Sequence, residues 1–421
     1  MKRYVLFTGV LLCLMISCVC YAQDDQANLF GYIQELYKQS DEKTSEFLIT
    51  ELQEFITNHP ESKHIADVQF MLARTYEDKG DEREALATYI KTLYLYPNFL
   101  ERKSVMDLAM NLIKNERTFR DRQEKLYKVL EAGGDAGSVA DRNLDYLAFL
   151  VQDDDDGLYP FVIDEARLFA SRHPEHSRVD TVMQWIGDLY LKDGDEREAM
   201  FSYLKLDFTH PGSPLLPYTQ FQRGKLLYEE INAPEIAADV LLGVATTYPE
   251  SEYAGESLYL IGEIKEKKEK DYAGATDSYR QLVDAYPDHR KSPDALLMIG
   301  EISAKRLNNF ATAVAAYDEF IEKFSDNPKG VEALTESAEI YKDDLESYEK
   351  AAEYYAKVAE VYPTYEKAPD LLIKAGELCE DKLRDYEKAI QYYKLVIEKF
   401  PESKKVGTAE KKIRKAEDKQ L

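Results

Sequence analysis

Few residues of this sequence have the type and spacing that catalysis or metal binding requires. The four aspartates at 153–156, followed by Gly157, have the acidic character of a calcium-binding loop. When Gly157 is aligned with the glycine of the helix–loop–helix calcium motif, Gln152 takes the first ligand position and Ile163 the last. Those positions need Asp and Glu, so the ligand set fails at both ends. We therefore predict that residues 153–156 form a solvated loop without a metal ion.

Histidine and cysteine side chains give no better site. His173 and His176 lie on either side of Pro174, and two other histidines of the chain also precede prolines, so a role in chain turns explains them without a metal. Cys379 is the only cysteine after residue 20, and no histidine follows His289 to act as its base. The sequence contains no glycine-rich phosphate loop, Ser/His/Asp grouping or HExxH motif. We predict no catalytic residue, no metal and no cofactor, and we expect Cys379 to be a packed core thiol.

The charge of the chain limits the kind of partner it can bind. Lys and Arg number 54 against 79 Asp and Glu, which gives a formal net charge of −25. Such a field repels nucleic acid and anionic lipid and favours neutral or basic proteins. The hydrophobic fraction of 44% is that of a folded chain with a continuous core. We expect a protein or peptide partner and no nucleic acid.

The first 22 residues have the pattern of an export signal. Lys2 and Arg3 form a basic start, residues 5–19 are apolar, and small residues end at Ala22 before a polar segment. This pattern predicts cleavage before Gln23 and a mature chain outside the cytoplasm.

A second interpretation of the same segment is lipoprotein processing. Residues 15–18 loosely resemble the bacterial lipobox with Cys18 as the lipidated residue, although Met15 stands where Leu is usual. Both interpretations predict a periplasmic or outer-membrane-associated protein, with membrane contact only through this anchor or through a partner.

The rest of the chain repeats itself with a period of 38 residues in its second half. Small residues in two columns indicate a close contact between paired helices, and a proline after each aromatic residue indicates the end of the second helix. The columns are Gly262, Gly300, Ala338 and Gly376; Ala275, Ala313, Ala351 and Ala389; and Tyr279, Tyr317, Tyr355 and Tyr393.

Two segments carry the clearest form of the repeat, and they share Asp-Glu-Arg-Glu-Ala at 81–85 and 195–199, a separation of 114 residues or three periods. They resemble the tetratricopeptide repeat, with linkers longer than its usual form. The resemblance implies an all-α fold, a TPR-type α-solenoid in which helix-turn-helix repeats form a right-handed superhelix. The segments read Ile186-Gly187-x2-Tyr190, Ala199-x3-Tyr203, Pro211 and Leu72-Ala73-x2-Tyr76, Ala85-x3-Tyr89, Pro97.

The long-linker form is similar to periplasmic repeat proteins of bacterial envelopes, such as the lipoprotein of the β-barrel assembly machinery and the Tol–Pal coordinator. Units across 98–174 depart from the pattern, and Arg122 replaces the alanine of the second helix. We divide the chain into a signal peptide at 1–22, an N-terminal helical segment at 23–60, repeats at 61–134, an irregular repeat at 135–174, regular repeats at 175–401 and a capping helix at 402–421.

The capping helix carries one apolar stripe, formed by Val406, Ala409, Ile413 and Ala416. We expect this stripe to cover the last exposed face of the core. The basic residues around it are predicted to face water: Lys404, Lys405, Lys411, Lys412, Arg414 and Lys415.

The resemblance implies that the first helices of successive repeats line a concave groove that holds peptides or partner helices. Two acidic columns fall on these helices, seven residues apart and so two turns along one face. Either they bind a Lys/Arg-rich segment through charge-assisted hydrogen bonds, or they form a solvated face. The columns are Glu256, Asp294, Glu332 and Asp370, and Glu263, Glu301, Glu339 and Glu377.

Three aromatic residues on the same helices, Tyr218, Phe221 and Tyr259, are candidate binding anchors, with core packing as the other interpretation. The sequence as a whole favours a non-enzymatic scaffold or adaptor of the bacterial cell envelope. The alternative is a structural component of an outer-membrane or envelope assembly complex. Both leave the partner and the oligomeric state open.

Overall fold

The structure, a computed structural model, describes residues 27–41, 43–132 and 137–420. Within these ranges all regular structure is helical, which confirms the predicted all-α repeat fold. The predicted export segment, including Cys18, lies outside the described residues. The chain divides into two compact units, unit 1 up to Ser213 and unit 2 from Pro214.

Unit 1 contains the first ten helices of the described ranges, with short 3₁₀ segments before α6 and α8. Its apolar core is continuous from Phe30 to Leu189. The helices are α1 (27–39), α2 (Ser45–Asn58), α3 (Ile65–Lys79), α4 (Glu82–Leu95), α5 (Arg102–Asn115), α6 (Gln123–Ala132), α7 (Val139–Asp153), α8 (Tyr159–Arg172), α9 (Val179–Asp193) and α10 (Glu196–Thr209).

Unit 2 is a regular alternation of first and second helices, in which each helix packs against its neighbours in sequence. The first helices carry odd numbers here and the second helices even ones. They are α11 (Leu216–Glu229), α12 (Pro234–Thr247), α13 (Glu252–Ile264), α14 (Tyr272–Ala285), α15 (Ser292–Lys305), α16 (Phe310–Lys323), α17 (Gly330–Glu339), α18 (Tyr348–Val361), α19 (Ala368–Leu378), α20 (Tyr386–Lys399) and α21 (Val406–Gln420).

Four helix pairs are joined by a tyrosine ring that lies against a glycine, and in α11–α12 the side chain of Leu241 takes the place of the ring against Gly224. A Cβ atom added to Gly187 would lie 2.4 Å from the ring of Tyr203, and the same contact at Gly300 would be 2.3 Å from Tyr317. Real Cβ atoms do not approach other atoms so closely, so glycine lets the ring fill the space between the helices. The glycine column therefore lies at a close contact between paired helices, as predicted, but its nearest partner is the tyrosine ring and not the alanine column. Gly262 with Tyr279 and Gly376 with Tyr393 repeat it.

In three of the five longer repeats of unit 2, the extra residue between the paired helices is taken up by a π-helical turn. Such turns extend α13, α17 and α19 over Lys265–Glu269, Ile340–Asp344 and Cys379–Leu383. A π turn accommodates one residue more than an α turn, so the register of the following helix is kept. The pair α9–α10 has no such turn, and α9 ends directly at Gly194 with a φ of 82°.

Helix α4 is the centre of unit 1. Every side chain from Ala85 to Leu95 is buried, which is the burial pattern of a helix covered on all sides. One side of α4 packs on α3, and α7 covers another. Lys91, on this covered side, forms an ion pair with Glu165 of α8 at 2.5 Å.

The aspartate run at 153–156 is only in part the solvated loop that the sequence predicts. Asp154 and Asp156 are exposed, but the side chains of Asp153 and Asp155 are only 5% exposed, and both bind Arg122. Asp155 also accepts a hydrogen bond from Nε of Arg83 at 3.0 Å. The prediction was wrong for Asp153 and Asp155 because these cations precede the carboxylates by 31 to 72 residues, a separation that local sequence does not reveal.

Helix α21 packs against α20 and buries Ala409 and Ala416 completely. Three of the basic residues predicted to face water also form ion pairs: Lys405 and Lys415 remain 43% and 62% exposed, and only Lys412, at 24%, departs from the prediction. The three lysines pair with carboxylates of the preceding repeat, because the acidic helix α19 and its π turn lie within reach of α21. The pairs are Lys405 with Asp370, Lys412 with Glu377, and Lys415 with Glu380.

No helix of the described residues is both long and apolar enough to cross a membrane.

The glycine–tyrosine contact gives a direct stability prediction. Replacing Gly300 with Leu should lower the free energy of unfolding by about 3 kcal/mol, because the side chain displaces the buried ring of Tyr317. Gly300→Ala should cost about 1 kcal/mol or less, since Ala338 holds the same position one repeat later. Urea titration followed by circular dichroism measures both.

A matched control is Gly243→Leu in α12, because no atom lies within 4 Å of a Cβ added at that glycine. An equal loss of stability in the Gly243 and Gly300 variants would contradict the close-contact interpretation.

Candidate functional site

The two acidic columns lie on α13, α15, α17 and α19, the first helices of unit 2. Each helix carries one member of each column, two turns apart, as predicted. The carboxylates therefore form two parallel rows along the first helices of unit 2, and most of them bind a cation of this chain.

Five of the eight carboxylates bind a lysine or arginine 34 or 35 residues further along the chain. In each case a first helix of one repeat supplies the carboxylate, and the cation lies in the next odd-numbered helix or within two residues before it. Exposed pairs of this kind contribute about 0–1 kcal/mol each. The pairs are Glu256 with Arg290, Asp294 with Lys329, Glu339 with Lys374, Asp370 with Lys405, and Glu377 with Lys412.

Glu339 has the densest set of partners. It accepts hydrogen bonds from the hydroxyl of Tyr355 at 2.5 Å and from Nζ of Lys374 at 3.1 Å, and it also binds Lys342. Burial opposes its ionisation, but these three donors outweigh burial and lower the pKa of Glu339 to about 2. Glu339 is therefore a structural anion that holds three helical elements together.

The other three carboxylates bind no neighbouring repeat within the described residues. Glu263 and Glu301 pair only with a lysine one turn along their own helix, at 2.5 and 3.2 Å. Glu332 is exposed and forms no ion pair with any described residue. These three members of the predicted columns are the ones left to bind another molecule.

The three candidate aromatic anchors are half-buried and take part in ring contacts. The rings of Tyr218 and Phe221 lie 5.6 and 5.4 Å from the ring of Tyr253. Tyr259 lies 5.3 Å from the ring of Tyr279, and Nζ of Lys291 lies 4.5 Å from its centroid. Packing therefore accounts for one side of each ring, and the part-exposed side keeps the binding prediction open.

The cysteine and the two histidines that could act as a nucleophile or as metal ligands pack against other side chains of the fold. Cys379 is fully buried, and burial raises the pKa of its thiol to about 11, so the thiol is protonated at neutral pH. His173 and His176 both pack against the ring of Phe169. No group of three or more potential metal ligands comes together among the described residues.

Sequence reasoning missed a groove of about 520 Å³ in unit 1. Its sides are α8 and α10, and Met183 and Ile186 of α9 are part of its floor. Phe201 lies at its edge and is 54% exposed, and Phe208, two turns along α10, is 80% exposed. We call this the α8–α9–α10 groove.

A sequence signal for this groove was present in the repeat columns. The five later second helices have no aromatic residue at the positions of Phe201 and Phe208, so two phenylalanines on one exposed face of α10 are a local departure from the repeat. Those positions hold Asp239, Asp277, Ala315, Glu353 and Gln391, and Thr246, Asp284, Glu322, Glu360 and Glu398.

Comparison with protein-family models finds the tetratricopeptide repeat at residues 66–99, 256–289, 302–366 and 370–403. Unit 1 and unit 2 therefore both contain tetratricopeptide repeats, as the sequence columns predict. A comparison with curated protein sequences finds no match.

Among solved structures, the chain is similar to a tetratricopeptide repeat protein from Parabacteroides merdae, with 14% identity and a TM-score of 0.36 over 65% of this chain and 99% of that one. It is also similar to the C-terminal part of a TPR repeat-containing protein from Cytophaga hutchinsonii, with 16% identity and a TM-score of 0.41 over 63% and 98%. A third is PilF of Pseudomonas aeruginosa, with 17% identity and a TM-score of 0.36 over 56% and 99%.

The environment of Glu339 predicts a pH dependence of stability. Its pKa is lower in the folded chain, about 2, than the ordinary value of 4.5, so its contribution is complete above pH 4.5 and is lost as the pH falls toward 2. Glu339→Gln should therefore be less stable than the wild type at pH 7, and the two should converge near pH 2. Thermal unfolding across this range measures the difference.

Glu332→Gln is the control, because Glu332 forms no ion pair within the described residues. Its stability should follow the wild type at every pH. A constant gap between wild type and Glu339→Gln from pH 7 to pH 2 would contradict the assigned role of Glu339.

Proposed function

We propose that this protein is a non-enzymatic scaffold that binds partner proteins on the first helices of unit 2, outside the cytoplasm in the bacterial envelope. The observation that carries the proposal is how α21 lies against α19. Lys405 and Lys412, seven residues apart, bind Asp370 and Glu377, also seven residues apart. A lysine-bearing helix is thus held by one carboxylate from each acidic column.

The same recognition is available to a partner earlier in unit 2. Glu263, Glu301 and Glu332 have no cation from a neighbouring repeat among the described residues, and Glu332 has no ion pair there at all. A basic helix or peptide that supplied lysines or arginines to these three would add the charge pairs that the chain itself makes further on. The net charge of −25 attracts such a segment from a distance.

Contacts with several repeats at once raise the affinity of such a surface for its partner. Each exposed ion pair contributes about 0–1 kcal/mol, which is too little to select a partner alone. Several pairs on one partner add up, because after the first contact the others form within one complex. A scaffold of this kind needs no catalytic group.

Charge reversal at the three available carboxylates tests the proposal. The variant Glu263→Lys, Glu301→Lys and Glu332→Lys should lose most of its partner, because three attractions become repulsions. Cross-linking in intact cells followed by mass spectrometry measures the recovery of captured proteins. The glutamates should be replaced in the full-length chain.

The control carries the same three charge changes on the second helices, at Glu322, Glu360 and Glu398, which are exposed and share one column. Its partner recovery should equal that of the wild type. Equal recovery by both triple variants would contradict binding at the acidic columns. Assembly of the purified chain into large homo-oligomers without a partner would favour the structural-component alternative.

Export is the second part of the proposal and rests on residues 1–22. The basic start, apolar stretch and small residues before Gln23 support cleavage by a signal peptidase. We expect the mature chain from envelope fractions to begin at Gln23 and to carry no radiolabelled palmitate, in the wild type and in Cys18→Ser alike. N-terminal sequencing and palmitate labelling measure the two properties.

Palmitate label that disappears in Cys18→Ser would show lipid anchoring at Cys18 in place of soluble export. A chain that begins at Met1 and remains in the cytoplasmic fraction would contradict export in either form.

A further inference from the structure

Unit 1 contains the same groove twice, three repeat periods apart. One copy is the α8–α9–α10 groove, and the other is formed by α2, α3 and α4. Seven residues that line the second from these helices have a counterpart 114 residues later that lines the first. Three of these matched pairs are Ile56 and Ala170, Leu72 and Ile186, and Lys91 and Lys205.

The α2–α3–α4 groove is covered by a helix of the chain itself. Helix α8 places Phe161, Glu165 and Leu168 along it, at positions i, i+4 and i+7 of one helical face. The carboxylate of Glu165 binds Nζ of Lys91 at 2.5 Å, and the ring of Phe161 packs edge-on at 6.4 Å from the ring of Tyr76. An apolar and acidic helix is therefore the occupant that this type of groove takes.

The α8–α9–α10 groove has no such cover within the described part of unit 1, where its lining comes only from α8, α9, α10 and the segments that join or directly follow them. Lys205 is exposed and forms no ion pair with a described residue, whereas its counterpart Lys91 is buried against Glu165. The outer face of α10 differs in the same way. Phe201 is 54% exposed where Ala87 is 2% exposed.

The short side chain of Ser202 leaves the α8–α9–α10 groove, at about 520 Å³, larger than the space of about 400 Å³ beside Tyr392, which holds the same repeat position. At the position of Ser202 the last two repeats carry Tyr354 and Tyr392. The hydroxyl of Tyr354 reaches across to Asp318 of the preceding second helix at 2.7 Å, which bridges the gap between those helices. Ser202 is too short to do this and donates to the backbone of its own helix instead.

We propose that the α8–α9–α10 groove binds an amphipathic helix of a partner protein, with an aromatic residue, a carboxylate and a leucine at positions i, i+4 and i+7 of one face. The carboxylate pairs with Lys205, and the apolar side chains cover Ile186 and Phe201. This inference rests on the proposed function, because it names the chemistry of a partner at a second surface, separate from the acidic columns.

Charge and geometry favour a partner over a second copy of this chain. The one helix of unit 1 shown to fit such a groove is α8, and its fitting face is already turned to α2, α3 and α4 in its own copy. The basic segment proposed for the acidic columns does not suit Lys205, which requires a carboxylate. The two surfaces therefore select opposite charges.

The test uses the full-length chain and a fluorescein-labelled, hydrocarbon-stapled peptide with the sequence of residues 159–172. Fluorescence anisotropy should show saturable binding of one peptide per chain, because only one of the two grooves is open. Ser202→Tyr should weaken binding, since the larger side chain takes up part of the groove, as Tyr392 does at the same repeat position. Lys205→Glu should weaken binding roughly tenfold or more through like-charge repulsion.

A charge swap distinguishes a contact from a folding defect. The peptide with Glu165→Lys should bind Lys205→Glu better than it binds the wild type. The matched control is Lys357→Glu, the same change at the same repeat position in α18, which should bind the original peptide like the wild type.

Absence of peptide binding, or equal binding by wild type and Ser202→Tyr, would overturn this inference. Self-association that Ser202→Tyr abolishes, measured by sedimentation, would assign the groove to a second copy and also overturn it. Neither result bears on the cross-linking outcome at Glu263, Glu301 and Glu332, so failure here is distinct from failure of the proposed function.

Discussion

The contact between a tyrosine ring of the second helix and a glycine of the first is the constraint on which most of the regular repeats depend. At Gly187 and Tyr203 the approach is too close for any side chain larger than a shifted methyl group. In some repeats the ring also reaches a carboxylate of the first helix, as the hydroxyl of Tyr203 does with Asp188 at 2.5 Å. Burial raises the pKa of the equivalent Tyr355, so its hydroxyl remains a donor to Glu339. The glycine–tyrosine contact thus sets the distance between the paired helices, and in these repeats it also places a hydrogen bond between them.

Much of this fold could be predicted from the sequence, because its determinants are local and periodic. The glycine, alanine and tyrosine columns, the prolines and the burial of Cys379 all follow from a repeat in which each unit contacts its neighbours. The contacts that the sequence did not reveal join residues that are not one repeat period apart. The ion pair of Lys91 with Glu165 joins residues 74 positions apart, and it is part of the cover that α8 places over the α2–α3–α4 groove.

For the acidic columns, the sequence predicts where the carboxylates lie but not which cations they bind. The position of the carboxylates on the first helices followed from the repeat, but their partners did not. Most of them bind a cation of the next first helix, as Asp294 binds Lys329 at 2.6 Å. The net charge of −25 therefore overstates what this surface offers to another molecule. In the proposed function, the carboxylates that select a partner are those without such a neighbour within the described residues, such as Glu332.

The same ion pairs give unit 2 a direction. In each of these pairs the carboxylate belongs to one repeat and the cation to the next repeat toward the C-terminus. The two ends of unit 2 therefore differ, as the two ends of a polar filament do. Helix α21 and the residue before it take the cationic side of this pattern, since Lys405, Lys412 and Lys419 pair with acids of α19 and its π turn. They do for α19 what Lys374 of α19 does for Glu339 of α17. Each first helix in this part of unit 2 is therefore neutralised by the one that follows it.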